Sequence, residues 1–132
     1  MTQSRHISVS IAATAARVYD YASDPSHLPA WAEGLAQSTM EQVGDQWSAQ
    51  SPMGRVGVDF VGRNALGVLD HIVTLPSGEQ VLNPMRVIPD GTGCEVVFTV
   101  RQRPGMSKQQ FDDDCRAVAA DLETLRALME RS

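Results

Sequence analysis

The closing stretch of the chain, Ser107 to Arg131, constrains the fold most. Phe111, Cys115, Val118, Leu122, Leu125 and Met129 recur at spacings of four and three. That spacing gives one apolar stripe on a helix of 3.6 residues per turn. Ser107, with Gln110 three residues on, forms a capping box. Asp112, Asp113 and Asp114 fall in the opening turns and are read as charge suited to the positive end of the helix dipole; Arg126 and Arg131 suit the other end. A lone helix cannot bury such a stripe. The residues before it must supply an apolar surface.

Those residues read mainly as strands. Residues 5–12 alternate, with Ile7, Val9 and Ile11 on one side and His6, Ser8 and Ser10 on the other. Thr14 caps a short helix running to about Ser23, and Asp24-Pro25 starts a second one ending near Trp31. From Ala36 to Arg103 the period is two. Strands are expected near 36–43, 46–52, 55–63, 66–75, 80–88 and 94–102, punctuated by Gly44-Asp45, Met53-Gly54, Asn64-Ala65, Pro76 to Glu79 and Pro89 to Gly93. Short connections make successive strands antiparallel neighbours. The expected fold is α+β: a strand, two short helices, about six more strands, and a long helix laid on the concave face of one curved sheet. Concave apolar space between such layers is where small ligands bind.

Composition narrows the partners. The chain of 132 residues is expected to form one domain, 1–132, and 42% hydrophobic with 20% charged residues is a globular balance. A net charge of -5 argues against nucleic acid, whose affinity comes largely from Lys and Arg on phosphates, and against an anionic membrane surface. No apolar run approaches the ~20 residues of a membrane span. Met1 to His6 has no apolar core and does not read as a signal peptide. Cys94 and Cys115 form no CxxC and fall within apolar patterns, which suits two buried thiols. A reducing, cytoplasmic setting is the expectation.

The opening of the chain carries a resemblance. Ser8-Val9-Ser10-Ile11-Ala12-Ala13-Thr14-Ala15-Ala16-Arg17-Val18-Tyr19-Asp20-Tyr21, followed by Ser23-Asp24-Pro25 and Leu28-Pro29-Ala30-Trp31, resembles the start of the polyketide cyclase/dehydrase-like (SRPBCC) family of the START/Bet v 1-like superfamily. The order of elements resembles that superfamily's helix-grip fold, here with about seven antiparallel strands. Thr14 stands where the family's turn usually has Pro. The resemblance implies a hydrophobic or amphipathic small molecule held between sheet and helix. Some members are cyclases or dehydratases; others carry ligands or bind proteins. The shared motifs are structural, so they speak to fold more than function.

Turn geometry suggests which side chains face the cavity. A symmetric hairpin closed by Pro76 to Glu79 pairs Leu75 with Gln80. A four-residue loop from Asp90 to Gly93 pairs Pro89 with Cys94. One face is then Val68, Asp70, Ile72, Val81, Asn83, Met85, Val87, Cys94, Val96, Phe98 and Val100. The opposite face carries His71, Arg86, Glu95, Thr99 and Arg101. On this register Asp70 and Asn83 are the strongly polar pair on the apolar face, as ligand contacts or as a structural pair satisfying each other. His71 and Arg86 form a second set, on the convex face. A two-residue turn at Asn64-Ala65 sets Asp59 opposite Asp70; a three-residue turn instead points Val58 and Phe60 inward, and is preferred because it buries the aromatic. Trp31 stands at the expected cavity mouth, and Phe111 to Leu122 on the helix is both core and candidate lining. The candidate ligand-binding residues are therefore Trp31, Phe60, Asp70, Asn83, Met85, Phe98, Phe111 and Val118.

No GxGxxG, GxxxxGK, HExxH or GxSxG motif is present, and His6, His27 and His71 lie far apart, so neither a cofactor nor a metal is expected. Three functions stand. The first is binding of a small hydrophobic molecule. The second is a cyclase- or dehydratase-type enzyme using Asp70 or His71 for proton transfer. The third is an interaction module with a reduced cavity, including a homodimer.

Overall fold

A computed structural model describes residues 2–131; the terminal residues of the expected 1–132 domain, Met1 and Ser132, lie outside the described residues. Strand β1 (Ser4–Ile11) is followed by helix α1 (Ala15–Ala22). A 3-10 turn (Pro25–His27), helix α2 (Leu28–Trp31) and a second 3-10 turn (Glu33–Leu35) come next. Seven strands follow: β2 (Glu41–Val43), β3 (Gln46–Ser51), β4 (Gly54–Phe60), β5 (His71–Thr74), β6 (Gln80–Asn83), β7 (Met85–Asp90) and β8 (Gly93–Arg101). Helix α3 (Lys108–Arg131) closes the chain.

The caps act as their residue types dictate. Thr14 accepts from Arg17 N and Asp24 accepts from Ser26 N. At α3 the Ser107 hydroxyl accepts from Gln110 N at 3.1 Å, while Gln110 Oε1 accepts from Ser107 N at 2.9 Å. This reciprocal pair satisfies two donors that a helix end otherwise leaves open.

The architecture is the expected α+β helix grip, with all strand pairs antiparallel. Its sheet differs in detail. Instead of about seven strands in one sheet there are, among the described residues, eight in two hydrogen-bonded groups, ordered β1-β8-β7 and β2-β3-β4-β5-β6. The division has two causes. Pro84 has no N–H to donate, so the expected 80–88 strand breaks into β6 and β7. The expected 66–75 strand is regular only over β5. Residues 61–70 form neither of the tight turns considered at Asn64-Ala65. Asn64 organises this longer connection: its Oδ1 accepts from Leu66 N and Val68 N, both at 3.0 Å, and its own N–H donates to the Tyr19 hydroxyl at 2.9 Å. Gly67 then passes against β7 with φ +71°, and a Cβ there would stand 2.2 Å from Val87 O. Only glycine fits so close a backbone approach.

Helix α3 packs on β1, β8 and α2. Its Phe111, Cys115, Leu122, Leu125 and Met129 are buried in one core with Ile11, Met85, Val87, Val96 and Phe98 of the sheet and Val18 of α1. Among the described residues, no helix is long and apolar enough to cross a membrane.

Candidate functional site

Between α3, α2 and the inner faces of β4, β5, β6 and β8 lies a partly open cavity of about 290 Å³. Its walls are mostly apolar: Leu28, Trp31 and Leu35 on one side, Val58, Val73, Val81, Phe98 and Val100 on the sheet, and Ala117, Val118 and Leu122 on α3. The polar members are His71, Asn83, Arg103, Asp114 and Asp121. An apolar enclosure with a few converging polar groups is the usual form of a small-molecule site. The volume lies just under the ~300 Å³ at which such sites usually begin and is about twice the ~150 Å³ cavity that accommodates benzene.

Of the expected site residues, Trp31, Asn83, Phe98 and Val118 come together in this lining. Val118 is the one stripe position of α3 left half-buried, because it faces open space and not packed sheet. Met85 is 1% exposed and Phe111 is 1% exposed; both belong to the packed core beside the cavity and not to its wall. Phe60 is half-buried outside the lining, its ring centroid 4.7 Å from that of His71. Val58 is buried and Asp59 exposed.

Asp70 requires correction. It does not line the cavity; its Oδ1 accepts from Met85 N at 2.9 Å and so satisfies the backbone at the β6–β7 break. The cause is the β5–β6 hairpin. Leu75 N donates to Glu79 O at 2.9 Å, leaving a three-residue loop, Pro76 to Gly78, with Gly78 at φ +92°. A three-residue hairpin of this kind needs a left-handed residue at its end, and glycine supplies it. Gln80 therefore pairs with Thr74, not Leu75, and Asn83 pairs with His71. One residue of slip exchanges the faces of a strand. Arg86 stays outside, its guanidinium donating to Leu66 O at 3.0 Å. The β7–β8 hairpin keeps the expected register, with Pro89 opposite Cys94 and Met85 opposite Phe98.

His71 is thus the imidazole of the cavity, and it is 6% exposed. Its Nδ1 lies 2.9 Å from Leu69 O. A carbonyl only accepts, so Nδ1 carries the proton and Nε2 holds the lone pair. Asn83 Nδ2 approaches Nε2 at 3.4 Å, a long contact. Burial lowers the imidazole pKa below its usual range, outweighing the Leu69 carbonyl and the Asp70 charge that raise it. His71 is therefore neutral at pH 7.

The chain matches the family model described as "Polyketide cyclase / dehydrase and lipid transport" over residues 2–130. The chain belongs to this family. No curated protein matches it. Among solved structures it is similar to the protein XoxI from Bacillus cereus, at 12% identity over 96% of this chain and 94% of that one, with TM-score 0.73. It is also similar to truncated norcoclaurine synthase from Thalictrum flavum, at 15% identity over 97% and 93% with TM-score 0.67. A third is Ara h 8.0201, at 9% identity over all of both chains with TM-score 0.72. At these identities the likeness establishes the fold alone.

Within this polyketide cyclase-like fold, the sequence reading missed Asp114 and Asp121. The three successive Asp of α3 look alike as helix-end charge in the sequence, but they separate by face. Asp112 meets Arg5 at 3.2 Å and Lys108 at 3.1 Å, and Asp113 pairs with Arg116. Asp114 turns into the cavity. Asp114, Ala117, Val118 and Asp121 follow the i, i+3, i+4, i+7 spacing of one helix face. That spacing was the available signal. Asp121 Oδ1 accepts from Glu33 N at 3.1 Å and ties α3 to the 3-10 turn Glu33–Leu35, whose Leu35 also lines the cavity. Burial pushes its pKa up to about 6, against the Glu33 N–H that lowers it and with the Glu33 carboxylate that adds to the rise.

A larger groove of about 540 Å³ lies between α1 and the 61–70 connection. Its polar groups are already engaged: Arg63 pairs with Asp20 and lies over the Tyr19 ring at 5.0 Å, and the Tyr19 hydroxyl holds Asn64 N. The cavity under α3 is the better site.

Proposed function

We propose that this protein binds a small, largely hydrophobic molecule of one or two rings between sheet and α3. The observation that supports this most is the mostly apolar cavity of about 290 Å³ with its few polar groups at the walls. His71 and Asn83 would take the role expected of Asp70 and Asn83, orienting a polar atom of the ligand. The family description, which names cyclisation, dehydration and lipid transport, is consistent with an apolar ligand. Two free, buried cysteines suit the reducing, cytoplasmic setting that is part of this reading. The test is calorimetric titration with β-tetralone, a neutral bicyclic ketone. Saturable one-to-one binding is expected, with affinity falling at least tenfold in Val118→Trp, which fills the cavity from the helix. Binding unchanged by that substitution would place the ligand elsewhere.

A second reading is favoured by one observation, the unprotonated Nε2 of a neutral imidazole in the cavity wall. On that reading the protein is a cyclase- or dehydratase-type enzyme in which His71, rather than Asp70, removes a proton beside a carbonyl. Exchange of the α-protons of β-tetralone into heavy water, followed by NMR, distinguishes the two. Exchange accelerated by the protein and lost in His71→Gln indicates an enzyme. Exchange at the same rate in both proteins indicates a binder.

A further inference from the structure

The charges around the cavity are unequally matched. On the outer faces of α3 the acids have cations: Asp112 has Arg5 and Lys108, Asp113 has Arg116, and Glu123 and Glu130 share Arg126. Asp114 and Asp121 face inward from the same helix and, among the described residues, neither forms an ion pair. Among the described residues Arg103 is the one cation of the lining; it pairs with Glu79 at 3.1 Å, and its charge also acts on Asp114, where burial outweighs it. His71 is neutral. The wall therefore presents two carboxylates, two turns apart, to an occupant. Burial raises the pKa of both, yet Asp121, at about 6, remains ionised at pH 7.

A second observation points to an occupant, though not to its charge. Trp31 lines this cavity at 4% exposure, and its indole N–H is buried without an acceptor. A buried donor in that state is satisfied by an acceptor atom elsewhere on a ligand, not by an ammonium. Trp31 and Phe98 also supply aromatic surface, whose quadrupole attracts cations.

We infer that the occupant is a cation: a ring-sized, largely apolar amine whose protonated nitrogen is met by Asp121 and Asp114 of α3. The inference rests on the binding role proposed above and adds the charge class of the ligand. Half-buried carboxylates without a cation partner discriminate by charge. They attract an ammonium, tolerate a neutral isostere and repel a carboxylate.

The experiment compares three bicyclic probes of nearly equal shape, aminotetralin, tetralol and tetralin carboxylate, all substituted at the β carbon. Affinities are measured by calorimetry at neutral pH. The amine is expected to bind at least tenfold more tightly than the alcohol, and the carboxylate most weakly. Asp121→Asn and Asp114→Asn should each narrow the amine-to-alcohol ratio several-fold. Asp113→Asn, on the outer face, should leave that ratio alone. Circular dichroism confirms that each variant is folded. If amine and alcohol bind equally and Val118→Trp weakens both, the charge inference is overturned while the cavity remains the binding site. If none of the three binds, the binding role itself fails.

Discussion

His71 and Asp121 face one cavity and titrate in opposite senses. The folded-state pKa of His71 lies below its usual 6.5. As pH falls through 6.5 the unfolded chain takes up this proton first, so stability is lost on the acid side. The folded-state pKa of Asp121, about 6, lies above its usual 3.8. The folded chain then binds the proton first, so this group's contribution is fully present below 3.8 and is lost as pH rises through about 6. Asp121→Asn removes that penalty, and its amide oxygen can still accept from Glu33 N. The variant should melt higher than the wild type at pH 8, with the gain shrinking toward pH 4. His71→Gln should flatten the acid-side loss of stability. Urea titrations across this pH range, repeated in each variant, check both signs.

At the scale of elements, α3 combines a packed stripe with an open one. Leu125 is fully buried, so Leu125→Ala should cost about 2–5 kcal/mol. Val118 borders the cavity, so Val118→Ala should cost much less than Leu125→Ala; equal losses in urea denaturation would mean that the cavity closes in solution. Ser107→Ala breaks the capping box and should cost about 1 kcal/mol. Gly67 is a harder constraint on the 61–70 connection, since a side chain there meets Val87 O within 2.2 Å at a left-handed φ. Gly67→Ala should cost at least about 1–3 kcal/mol, the usual cost of such strain. These elements were largely legible in advance. The stripe of α3, its cap, the Thr14 and Asp24 caps and the alternation of β1 and β8 all depend on neighbours a few residues away.

Across the whole molecule, the β1-β8-β7 group packs on α3, and the cavity lies between α3, α2 and the inner faces of β4, β5, β6 and β8. A ligand seated there should couple these layers. At a hundredfold excess over Kd, β-tetralone should raise unfolding free energy by about 2.7 kcal/mol, seen as a higher melting temperature in the wild type and little change in Val118→Trp. Half of the expected ligand-binding residues lie in the cavity wall: Trp31, Asn83, Phe98 and Val118. The others are displaced for particular reasons. Met85 and Phe111 pack too tightly to leave space, Phe60 lies tilted against His71, the residue that does line the wall, and Asp70 serves the backbone at the Pro84 break.

The amino-acid sequence by itself determined the helix stripe, the caps, the alternating strands and hence the family fold, because each depends on local spacing. Only the tertiary structure decided which polar groups enter the cavity. A single left-handed glycine in a three-residue loop shifted β6 by one residue against β5, and a period of two turns that shift into an exchange of Asp70 for His71. The three aspartates at 112–114 lie beyond the first turn of α3, which holds no acid, and are chemically alike. Which of them finds a cation and which finds an apolar wall depends on Arg5, Lys108 and Arg116 on one side and the cavity on the other. Arg5 stands more than a hundred residues away in the chain, and only folding brings it to Asp112.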